Sequence, residues 1–535
     1  MLKKHGVVLL RWLLVVLLLT TTLSCGLFED DEDAFDVPTG IEWVDEEGDD
    51  GDYYEEDDDA EFVEGEFGVF EETECDYEGL EDVDLECGYL AVPEDHRDPN
   101  SDTIWLAVTI IRSPGGASRA DPVVYLEGGP GGSATYDIEG WLNQAFLEER
   151  DLILFDQRGT GFSEPSLNCF ELEGESGQKD VNAAQECRDR LEADGIDLAL
   201  YNSRQSAADL DMLRRALGYE TWNVLGISYG TRLALTAMRD YPAGIRSVIL
   251  DSVYPPEVNA YEEEAINGAR AIETLLSGCT AHPACNADYP DLRGRFYRLL
   301  SALDEDPVEF TVYDPEYEED LDVLLDGSEL VNRLFQALYD VETIPVLPYV
   351  IHLIDEGDYE NAYAWLLGDD SAYARPRQRQ EQEEDLSDSE GVFYSVECHE
   401  EIVFNDRDAV RSAVTDFDSA IADYLYVDTE AMFEICEIWG AGAAPAIETS
   451  PVRSDIPTLL LAGDYDPITP PAWAESAARY LSNSYLFIFP GVGHSVVDSG
   501  ECAQALVVTF LNAPHKAPDG RCVARMSGPD FYVGD

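Results

Sequence analysis

The sequence predicts a mostly parallel β-sheet with helices on both faces, interrupted by a helical insertion. From Cys75 onward, short apolar runs alternate with amphipathic stretches, which is the pattern of parallel strands joined by crossover helices. The same pattern returns near the end of the chain after a long stretch of different character. The predicted core strands are Ile104 to Ile111, Pro122 to Leu126, Leu152 to Phe155, Trp222 to Leu225, Ser247 to Leu250, Pro457 to Ala462 and Ser484 to Phe489.

The predicted helices separate a core from an insertion. Ala207 to Leu217 has the apolar spacing of a helix packed on the sheet, and a terminal helix is predicted from Cys502 to Leu511. Between these two regions, long charged helical segments such as Ala260 to Leu276 and Glu329 to Leu338 replace the strands. The expected parts are a signal peptide (1–24), an acidic disordered tether (25–74), a first core part (75–254), a helical cap (255–450) and a second core part (451–535).

The first residues are typical of an export signal. Lys3 and Lys4 carry positive charge, and Trp12 to Leu19 is an apolar run too short to span a bilayer comfortably. The next segment, Leu23-Ser24-Cys25-Gly26, resembles the lipobox of bacterial lipoproteins, in which lipid is attached to the cysteine after cleavage. We therefore expect export across the inner membrane and a lipid anchor on Cys25, at the outer membrane or cell surface. An ordinary signal peptide, with Cys25 kept for a disulfide, is the alternative.

The chain is strongly acidic, with 112 Asp and Glu against 32 Lys and Arg and a net charge of −80. Such a surface repels nucleic acid and anionic lipid, so neither is an expected partner and only the lipid on Cys25 is expected to reach a membrane. From Glu29 to Glu74 acidic residues dominate and Lys and Arg are absent, which predicts an extended tether that buries too little apolar surface to fold.

The 11 cysteines favour disulfides over metal binding. A lipid on Cys25 leaves an even set of ten, and no zinc-type spacing of Cys and His is present, so we expect no metal. The hypothesis pairs sequence neighbours: Cys75 with Cys87, Cys169 with Cys187, Cys279 with Cys285, Cys398 with Cys436, and Cys502 with Cys522.

A predicted strand, a sharp turn and a predicted helix meet at Gly226-Ile227-Ser228-Tyr229-Gly230. Glycines two places either side of Ser228 allow a strained turn that exposes its hydroxyl above the sheet, the arrangement of a nucleophile elbow. In a chain with 41 glycines the pentapeptide alone is weak evidence, but its strand–helix context makes it specific. We therefore expect Ser228 to be a nucleophile.

A serine nucleophile needs a base and an acid that orients the base. Among seven histidines, His494 alone lies in a glycine-rich loop just after a late strand. Asp466 follows the preceding core strand and gives the chain order Ser, Asp, His. Asp464 competes with Asp466 for the role of the acid.

The developing oxyanion needs preorganised backbone donors. The amide of Tyr229, directly after the nucleophile, is one expected donor. The glycine loop Glu127-Gly128-Gly129-Pro130-Gly131-Gly132 is expected to supply the second, from Gly129 or, as the alternative, Gly128. A phosphate-binding loop is disfavoured because no Lys-Ser/Thr pair follows it.

Five motifs in this order resemble the prolyl and tripeptidyl aminopeptidase branch of the α/β-hydrolases, from about Cys75 to Cys522. The resemblance implies an α/β-hydrolase fold with an inserted helical cap and a Ser228, Asp466, His494 triad. Glu127 departs from it, because His or Asn usually precedes the glycines; its carboxylate must face away or contact a substrate amine. The motifs are Gly128-Gly129-Pro130-Gly131-Gly132, Asp156-Gln157-Arg158-Gly159-Thr160-Gly161-Phe162-Ser163, the elbow, Asp466-Pro467-Ile468-Thr469-Pro470, and Gly493-His494.

The resemblance implies a peptidase that acts near a free N-terminus without a cofactor. An exopeptidase of this kind binds an ammonium through carboxylates, and the cap segment Ser395 to Glu401 offers Glu400 or Glu401 as the amine anchor. An esterase or lipase acting on small esters is the second interpretation, because fold does not settle substrate. The third is an inactive surface lipoprotein that binds peptides.

Overall fold

The computed structural model describes residues 67–77, 79–172, 181–314, 319–366, 386–416 and 419–534. The expected signal peptide, Cys25 and the expected tether as far as residue 66 lie outside the described residues. No helix in the described ranges is long and apolar enough to cross a membrane. The strands of the described part are β1 Phe70–Thr73, β2 Leu85–Pro93, β3 Thr103–Ile111, β4 Val123–Leu126, β5 Leu152–Phe155, β6 Trp222–Ile227, β7 Ile245–Asp251, β8 Val308–Asp314, β9 Glu319–Leu325, β10 Thr458–Gly463 and β11 Ser484–Phe489.

The central sheet has nine strands among the described residues, in the order β1-β2-β3-β5-β4-β6-β7-β10-β11. β1, β2, β3 and β5 pair antiparallel, whereas β5, β4, β6, β7, β10 and β11 pair parallel. The parallel strands are apolar and mostly buried on both faces, as the continuous apolar runs predict. Because β6, β10 and β11 run in the same direction, the turns that follow them meet at one edge of the sheet.

Helices cover both faces of the sheet and form most of the cap. Buried side chains fill one cluster on each face of the sheet and a third cluster within the cap. The helices of the described part are α1 Val181–Ala193, α2 Ser203–Ala216, α3 Tyr229–Asp240, α4 Ala260–Ala281, α5 Pro283–Asp288, α6 Leu292–Glu305, α7 Gly327–Ala337, α8 Leu347–Glu356, α9 Tyr359–Leu366, α10 Glu390–Glu400, α11 Arg407–Ala413, α12 Ser419–Trp439, α13 Pro471–Ala478 and α14 Glu501–Asn512.

The folded part begins earlier than the sequence predicts. The expectation of a tether up to Glu74 is wrong for Phe70–Thr73, which pair with β2 as an edge strand. The Phe70 ring packs against Gly88, whose missing side chain makes room for it. One partly buried aromatic residue and a ladder of backbone hydrogen bonds therefore order the end of an otherwise acidic segment.

The cap is not purely helical. β8 and β9 form an antiparallel hairpin within it, in which Phe310 lies opposite Val323. Val308, Phe310 and Val312 alternate with polar residues, so the period of two that indicates a strand is present in the sequence. The prediction missed it because the surrounding helical segments set the expectation for the whole cap.

The disulfide hypothesis is confirmed. All five predicted pairs are bonded, with separations along the chain of 6 to 38 residues. Cys398–Cys436 joins α10 to α12 within the cap, and Cys502–Cys522 fastens the C-terminal tail to α14. The bonds therefore stabilise local supersecondary units and join none of the core to the cap.

The C-terminal tail connects the cap to the second core part. Phe531 is 4% exposed and packs edge-on against His282. Just before it, Pro529 lies against Gly491, in the loop that leads to His494. The tail therefore braces this loop against the cap.

We expect Phe531→Leu to lower the free energy of unfolding by about 1–2 kcal/mol, because the smaller side chain leaves the cap core underfilled. Tyr532→Phe is the control: Tyr532 is 39% exposed, and Phe keeps the ring that packs on Tyr349 and Trp365, so stability should change by less than about 0.5 kcal/mol. Urea denaturation of the two variants measures both values. A loss of less than about 0.5 kcal/mol in Phe531→Leu would show that the tail does not anchor the cap.

Candidate active site

Ser228 lies in a strained turn between β6 and α3. Its backbone has φ 56° and ψ −125°, a conformation that L-residues rarely adopt, and its amide donates to the main-chain oxygen of Asp251 at 3.0 Å. A Cβ at Gly226 would clash with the carbonyl of Gly230, and one at Gly230 would clash with that of Leu126. Both glycines are therefore required, and the predicted strand–turn–helix is confirmed.

Asp466 and His494 meet at the same edge of the sheet. The Asp466 Oδ2 accepts a hydrogen bond from His494 Nδ1 at 2.9 Å, and Asp466 is fully buried. The amides of Ile468 and Thr469 donate to Asp466 Oδ1 at 3.0 and 2.8 Å, and the Thr469 hydroxyl donates to Oδ2 at 2.7 Å. These bonds fix the carboxylate, which in turn fixes the imidazole with Nε2 left for chemistry.

The two groups shift each other's pKa. Burial raises the pKa of Asp466, but the charge of His494 and the hydrogen bonds outweigh burial and leave it below its usual value. Burial lowers the pKa of His494, but Asp466 and, more weakly, Asp251 outweigh it and leave the pKa raised. The pair therefore favours a positively charged imidazole, the species that forms when a serine hydroxyl gives up its proton.

We expect the acidic limb of kcat/KM to have an apparent pKa above 6.5, the ordinary value for histidine. A general base must be neutral to accept a proton. Because the pKa of His494 is raised, activity should fall at a higher pH than it would with a histidine of ordinary pKa. Initial rates between pH 5 and 9 measure the limb. A limb at or below the ordinary histidine value would contradict the assignment of His494 as the base.

Asp464, the competing acid, has another partner. Its Oδ1 accepts from the amide of Gly491 at 2.7 Å, and burial raises its pKa. It therefore holds the loop that precedes His494 and does not contact the imidazole. This geometry favours Asp466 as the acid.

The glycine loop lies directly against Ser228. A Cβ at Gly128 would lie 3.1 Å from the Ser228 Cβ, so the backbone of this loop approaches the nucleophile closely. The amide of Gly128 is occupied, because it donates to Glu127 Oε1 at 2.8 Å. In the described part of the chain the Gly129 amide has no protein acceptor, and Gly129 is exposed. This geometry favours Gly129 over Gly128 as an oxyanion donor.

Tyr229 supplies the other candidate donor. It is the first residue of α3, so no carbonyl within the helix can accept its amide. The helix N-terminus also places partial positive charge beside the Ser228 oxygen. The Tyr229 phenol points away from Ser228 and contacts the Ser203 hydroxyl at 2.8 Å.

The Glu127 carboxyl folds beneath the glycine loop. Its Oε1 accepts from the Tyr125 hydroxyl as well as from Gly128, both at 2.8 Å, and its Cγ lies 2.8 Å from where a Cβ of Gly132 would be. Burial raises its pKa to about 7. A carboxyl that is largely neutral below that pH opposes an oxyanion much less than a carboxylate does.

The run after β5 supports the glycine loop from below. Buried Asp156 accepts from the Ser133 hydroxyl at 2.9 Å and the Thr135 hydroxyl at 2.6 Å, and Gln157 Nε2 donates to the Glu127 carbonyl. Arg158 instead makes two hydrogen bonds to Asp209 at 2.8 Å. The run is thus a structural support beside the site, in agreement with the resemblance.

Cap residues contact the site on two sides, and the sequence did not single them out. The His494 amide donates to the main-chain oxygen of Tyr339 at 2.9 Å, and the two rings lie 5.0 Å apart. Arg270 on α4 donates to the main-chain oxygens of Asp464, at 2.9 Å, and of Asp466. No local pattern marks these contacts, because they depend on how the cap sits on the core.

A third cap contact closes the opposite side of the site. The amide of Ser389 donates to the Gly131 carbonyl, and the amide of Ser133 donates to the Ser387 carbonyl, both at 2.9 Å. The segment that begins α10 is thereby hydrogen-bonded to the glycine loop. Cap segments therefore contact both the expected oxyanion loop and the expected base.

The expectation that Glu400 or Glu401 anchors a substrate amine is wrong. Both residues are 2% exposed. Glu401 Oε2 accepts from Arg232 at 2.8 Å, and Glu400 Oε2 accepts from the Ser203 hydroxyl at 2.7 Å and from Arg232 at 3.3 Å. A buried carboxylate with a buried cation and other donors around it is not accessible to an incoming ammonium, so this pair fastens α10 to α3.

Cys169, Glu171 and Cys187 form the one cluster of metal-type side chains within the described ranges. The two cysteines are joined in a disulfide, so they offer no thiolate. Glu171 pairs with Arg190 at 2.6 Å. The cluster is therefore structural.

Two family models match the chain. One, described as alpha/beta hydrolase fold, matches residues 121–281, which contain the glycine loop and Ser228. The other, described as TAP-like protein, matches residues 424–522, which contain Asp466 and His494. The two matches together include the three residues expected to form the triad.

Curated relatives are similar over much of the chain. Serine protease Hip1 of Mycobacterium tuberculosis is 26% identical over 470 residues, 81% of this chain and 86% of that protein. Carboxylesterase B of the same species is 25% identical over 458 residues, 79% of this chain and 84% of that protein. Tripeptidyl aminopeptidase of Streptomyces lividans is 32% identical over 195 residues, 32% of this chain and 36% of that protein. The chain belongs to the α/β-hydrolase fold family, in its tripeptidyl aminopeptidase-like branch, and is a serine hydrolase.

Proposed function

We propose that the chain is an extracytoplasmic aminopeptidase that releases short N-terminal peptides or single residues through an acyl-enzyme. The observation that carries the proposal is the bonded pair of Asp466 and His494, at the sheet edge where the strained Ser228 turn also lies. Relatives named serine protease and tripeptidyl aminopeptidase support the choice of peptide bonds.

The proposed reaction follows from this geometry. The Ser228 hydroxyl attacks the carbonyl carbon while His494 Nε2 takes its proton, and Asp466 stabilises the imidazolium. The amides of Tyr229 and Gly129 donate to the oxyanion. The tetrahedral intermediate collapses as His494 protonates the leaving amine, and water then hydrolyses the ester on Ser228 by the reverse proton path.

The cap supports an exopeptidase over an endopeptidase. Cap segments are hydrogen-bonded to the glycine loop at Gly131 and to the base at His494. A site with cap backbone on both sides admits the end of a peptide more readily than the middle of a folded chain. The free amine is then the feature that marks a substrate.

An esterase is the second candidate, favoured by the similarity to a protein named carboxylesterase B over 79% of the chain. The same triad cleaves esters, whose leaving group needs less protonation than an amine. An aminopeptidase depends on a free N-terminus in its substrate, whereas an esterase does not, because a simple ester has no N-terminus.

The test compares tripeptide and single-residue aminoacyl amides with free and acetylated N-termini, together with a short-chain acyl ester. The full chain in detergent and its Ser228→Ala variant are assayed on each substrate. We expect Ser228-dependent cleavage that acetylation reduces by about 10²-fold or more, because the blocked amine loses a charge-assisted interaction. The variant is expected to lose almost all activity.

Each alternative gives a different pattern. Ester turnover without amide cleavage would establish the esterase. Equal cleavage of free and acetylated peptides would replace the aminopeptidase by an endopeptidase-type specificity. Binding of the peptides to Ser228→Ala and wild type alike, with no turnover by either, would leave a peptide-binding lipoprotein.

Export and lipid attachment are part of the proposal and are tested separately. Cys25 follows a lipobox-like segment, and five disulfides fit an oxidising compartment. Metabolic labelling with an alkynyl fatty acid is expected to mark the wild type and not Cys25→Ser. Labelling of neither chain would leave an ordinary signal peptide as the interpretation.

A further inference from the structure

Asp251 joins the turn of the expected nucleophile to the loop of the expected base. It ends β7, where Ile227 of β6 lies beside it on one side and Leu461 of β10 on the other. The carboxyl is fully buried, and the sequence analysis assigned it no role. Its position at the carboxyl end of a central strand brings it to the same edge as the triad.

Two different parts of Asp251 hold two different loops. Its main-chain oxygen accepts from the Ser228 amide at 3.0 Å. Its carboxylate accepts from the amides of Val496 and Val497, at 2.9 and 2.6 Å, in the turn that directly follows His494. A displacement of this one residue therefore moves both the nucleophile and the base.

The neighbouring residue adds a third connection. The Ser252 hydroxyl accepts from the amide of Ser495 at 3.0 Å, and the Ser252 amide donates to the Leu461 carbonyl of β10 at 3.0 Å. The His494 loop is thus held by side chains of β7 and its extension, over three successive amides. Those amides can point at β7 only if the chain turns sharply after His494.

The turn after His494 requires strained backbone, and residues with strained backbone are concentrated around Asp251 and Ser252. In the described part of the chain four residues other than glycine have positive φ, and three of them are Ser228, Ser252 and Ser495, at 56°, 54° and 60°. Ser228 and Ser495 each donate a backbone amide to the Asp251–Ser252 pair, and Ser252 is a member of that pair. Strained backbone persists only where the surroundings over-determine it, and it concentrates at functional sites.

We propose that Asp251 is a positioning residue, whose carboxylate sets the distance and orientation of His494 relative to Ser228. It contacts neither substrate nor the reacting atoms. The inference rests on the proposed roles of Ser228 and His494, but it does not depend on whether the substrate is a peptide or an ester.

Asp251 also acts on the imidazole electrostatically. The charged groups facing His494 are Asp466 from the loop after β10 and Asp251 from β7, and the Tyr339 ring packs on it from the cap. Burial and, more weakly, the charge of Asp498 raise the pKa of Asp251 to about 7, partly offset by the hydrogen bonds from Val497 and Val496. A positioning residue with this placement should affect both the rate and the pKa of the base.

The test uses Asp251→Asn and, as the matched control, Asp498→Asn. An Asn at 251 keeps one oxygen but turns an amide NH₂ toward one of the two backbone N–H groups, so the turn after His494 must shift. Asp498 lies in the same turn, but its carboxylate accepts only from side chains, those of Ser495 and Gln144 at 2.8 Å. The readout is the rate at which a small fluorophosphonate labels Ser228, which needs an activated serine and no particular substrate.

We expect Asp251→Asn to lower the labelling rate constant by about 10²-fold, the size of effect that a misplacement of about 1 Å produces. The acidic limb of the labelling rate should move to lower pH, because a carboxylate that raises the pKa of His494 is gone. Asp498→Asn should leave the labelling rate constant within about twofold of wild type and should not move the acidic limb to lower pH. If Asp251 had only a structural role, Asp251→Asn would lower the fraction of folded molecules. The acidic limb measured on the molecules that do fold would then stay in place.

A second variant covers the case in which Asp251→Asn fails to fold. Ser252→Ala removes the hydroxyl that accepts from the Ser495 amide at 3.0 Å and donates to Asp251 Oδ1 at 3.4 Å. It should slow labelling by about tenfold. Wild-type labelling rates in Asp251→Asn or Ser252→Ala, or an unmoved acidic limb, would overturn the inference. If the wild type labels but cleaves no peptide, the proposed aminopeptidase fails while the positioning role stands. A wild type that does not label would overturn both.

Discussion

We expect Asp466→Asn to lower kcat by about 10⁴-fold with little change in stability, the effect of an Asp→Asn replacement in a serine–histidine–acid triad. The reason is that the two carboxyl oxygens of Asp466 accept hydrogen bonds from different partners. Oδ1 accepts from the amides of Ile468 and Thr469, and an Asn can keep both bonds with its own oxygen. The NH₂ then replaces Oδ2, the atom that accepts from His494 Nδ1.

An NH₂ group at this position forces the wrong tautomer. It can only donate to His494 Nδ1, so the proton of the neutral imidazole moves to Nε2 and the base can no longer accept a proton from Ser228. The loss of a carboxylate that raises the pKa of His494 should also move the acidic limb to lower pH. Steady-state kinetics across pH measure both effects.

Asp464→Asn is the matched control, two residues away in the same loop. Its carboxylate accepts from the Gly491 amide, and an Asn oxygen can do the same. We expect kcat to stay within about tenfold of wild type. If Asp464→Asn were the more damaging of the two, the acid of the triad would have to be reassigned.

The sequence predicts the residues of the proposed site where local chemistry dictates them. Gly226 is needed because the backbone of Gly230 approaches it within the same turn, so the pattern of the turn is visible in the chain. Asp466 and His494 were found because each follows a predicted core strand, and parallel strands bring such loops to one edge. Local pattern and sheet topology were sufficient for these three residues.

The residues that the sequence missed depend on long-range packing. Arg270 and Tyr339 reach the triad only because the cap sits where it does, and nothing nearby in the chain indicates their partners. Asp251 did leave a signal, since it is an acidic residue at the end of the apolar run Val248-Ile249-Leu250. A charge at the carboxyl end of a predicted central strand is worth considering as part of a site.

Glu400 and Glu401 show why exposure cannot be read from acidity. The chain has 112 acidic residues, and these two are buried against a single arginine. The sequence gives no indication of that arginine, because Arg232 is distant in the chain and lies on the helix that follows Ser228. The consequence is a prediction about stability.

We expect Arg232→Met to lower the free energy of unfolding by about 3–5 kcal/mol, the cost of removing one partner from a buried ionic cluster. Arg232 is 1% exposed and lies 4.9 Å from the centre of the Tyr254 ring. Without it, Glu400 and Glu401 lose the buried guanidinium that donates to both of them. Arg188→Met, which breaks a half-exposed pair with Glu192 on α1, should cost less than about 1 kcal/mol.

The loss of stability in Arg232→Met should grow as the pH rises. Glu397, one turn before Glu401, already has its pKa raised to about 8 by burial and by Glu401, with Arg232 acting in the opposite direction. A carboxyl whose pKa is higher in the folded than in the unfolded chain favours folding at low pH and loses that contribution as pH rises through the folded value. Removing Arg232 raises the pKa of Glu397 further, so Arg232→Met should lose more stability at pH 8 than at pH 5.

Urea denaturation at the two pH values measures this difference, and a triple variant separates charge from packing. Arg232→Met combined with Glu400→Gln and Glu401→Gln removes the unpaired charges and should recover much of the loss, because neutral groups of similar size cost far less to bury. Equal stability of Arg232→Met and wild type at both pH values would contradict the role of the cluster. A loss that the triple variant does not recover would assign the effect to packing of the guanidinium against Tyr254, and the cap would then be fastened to the nucleophile helix by shape instead of by charge.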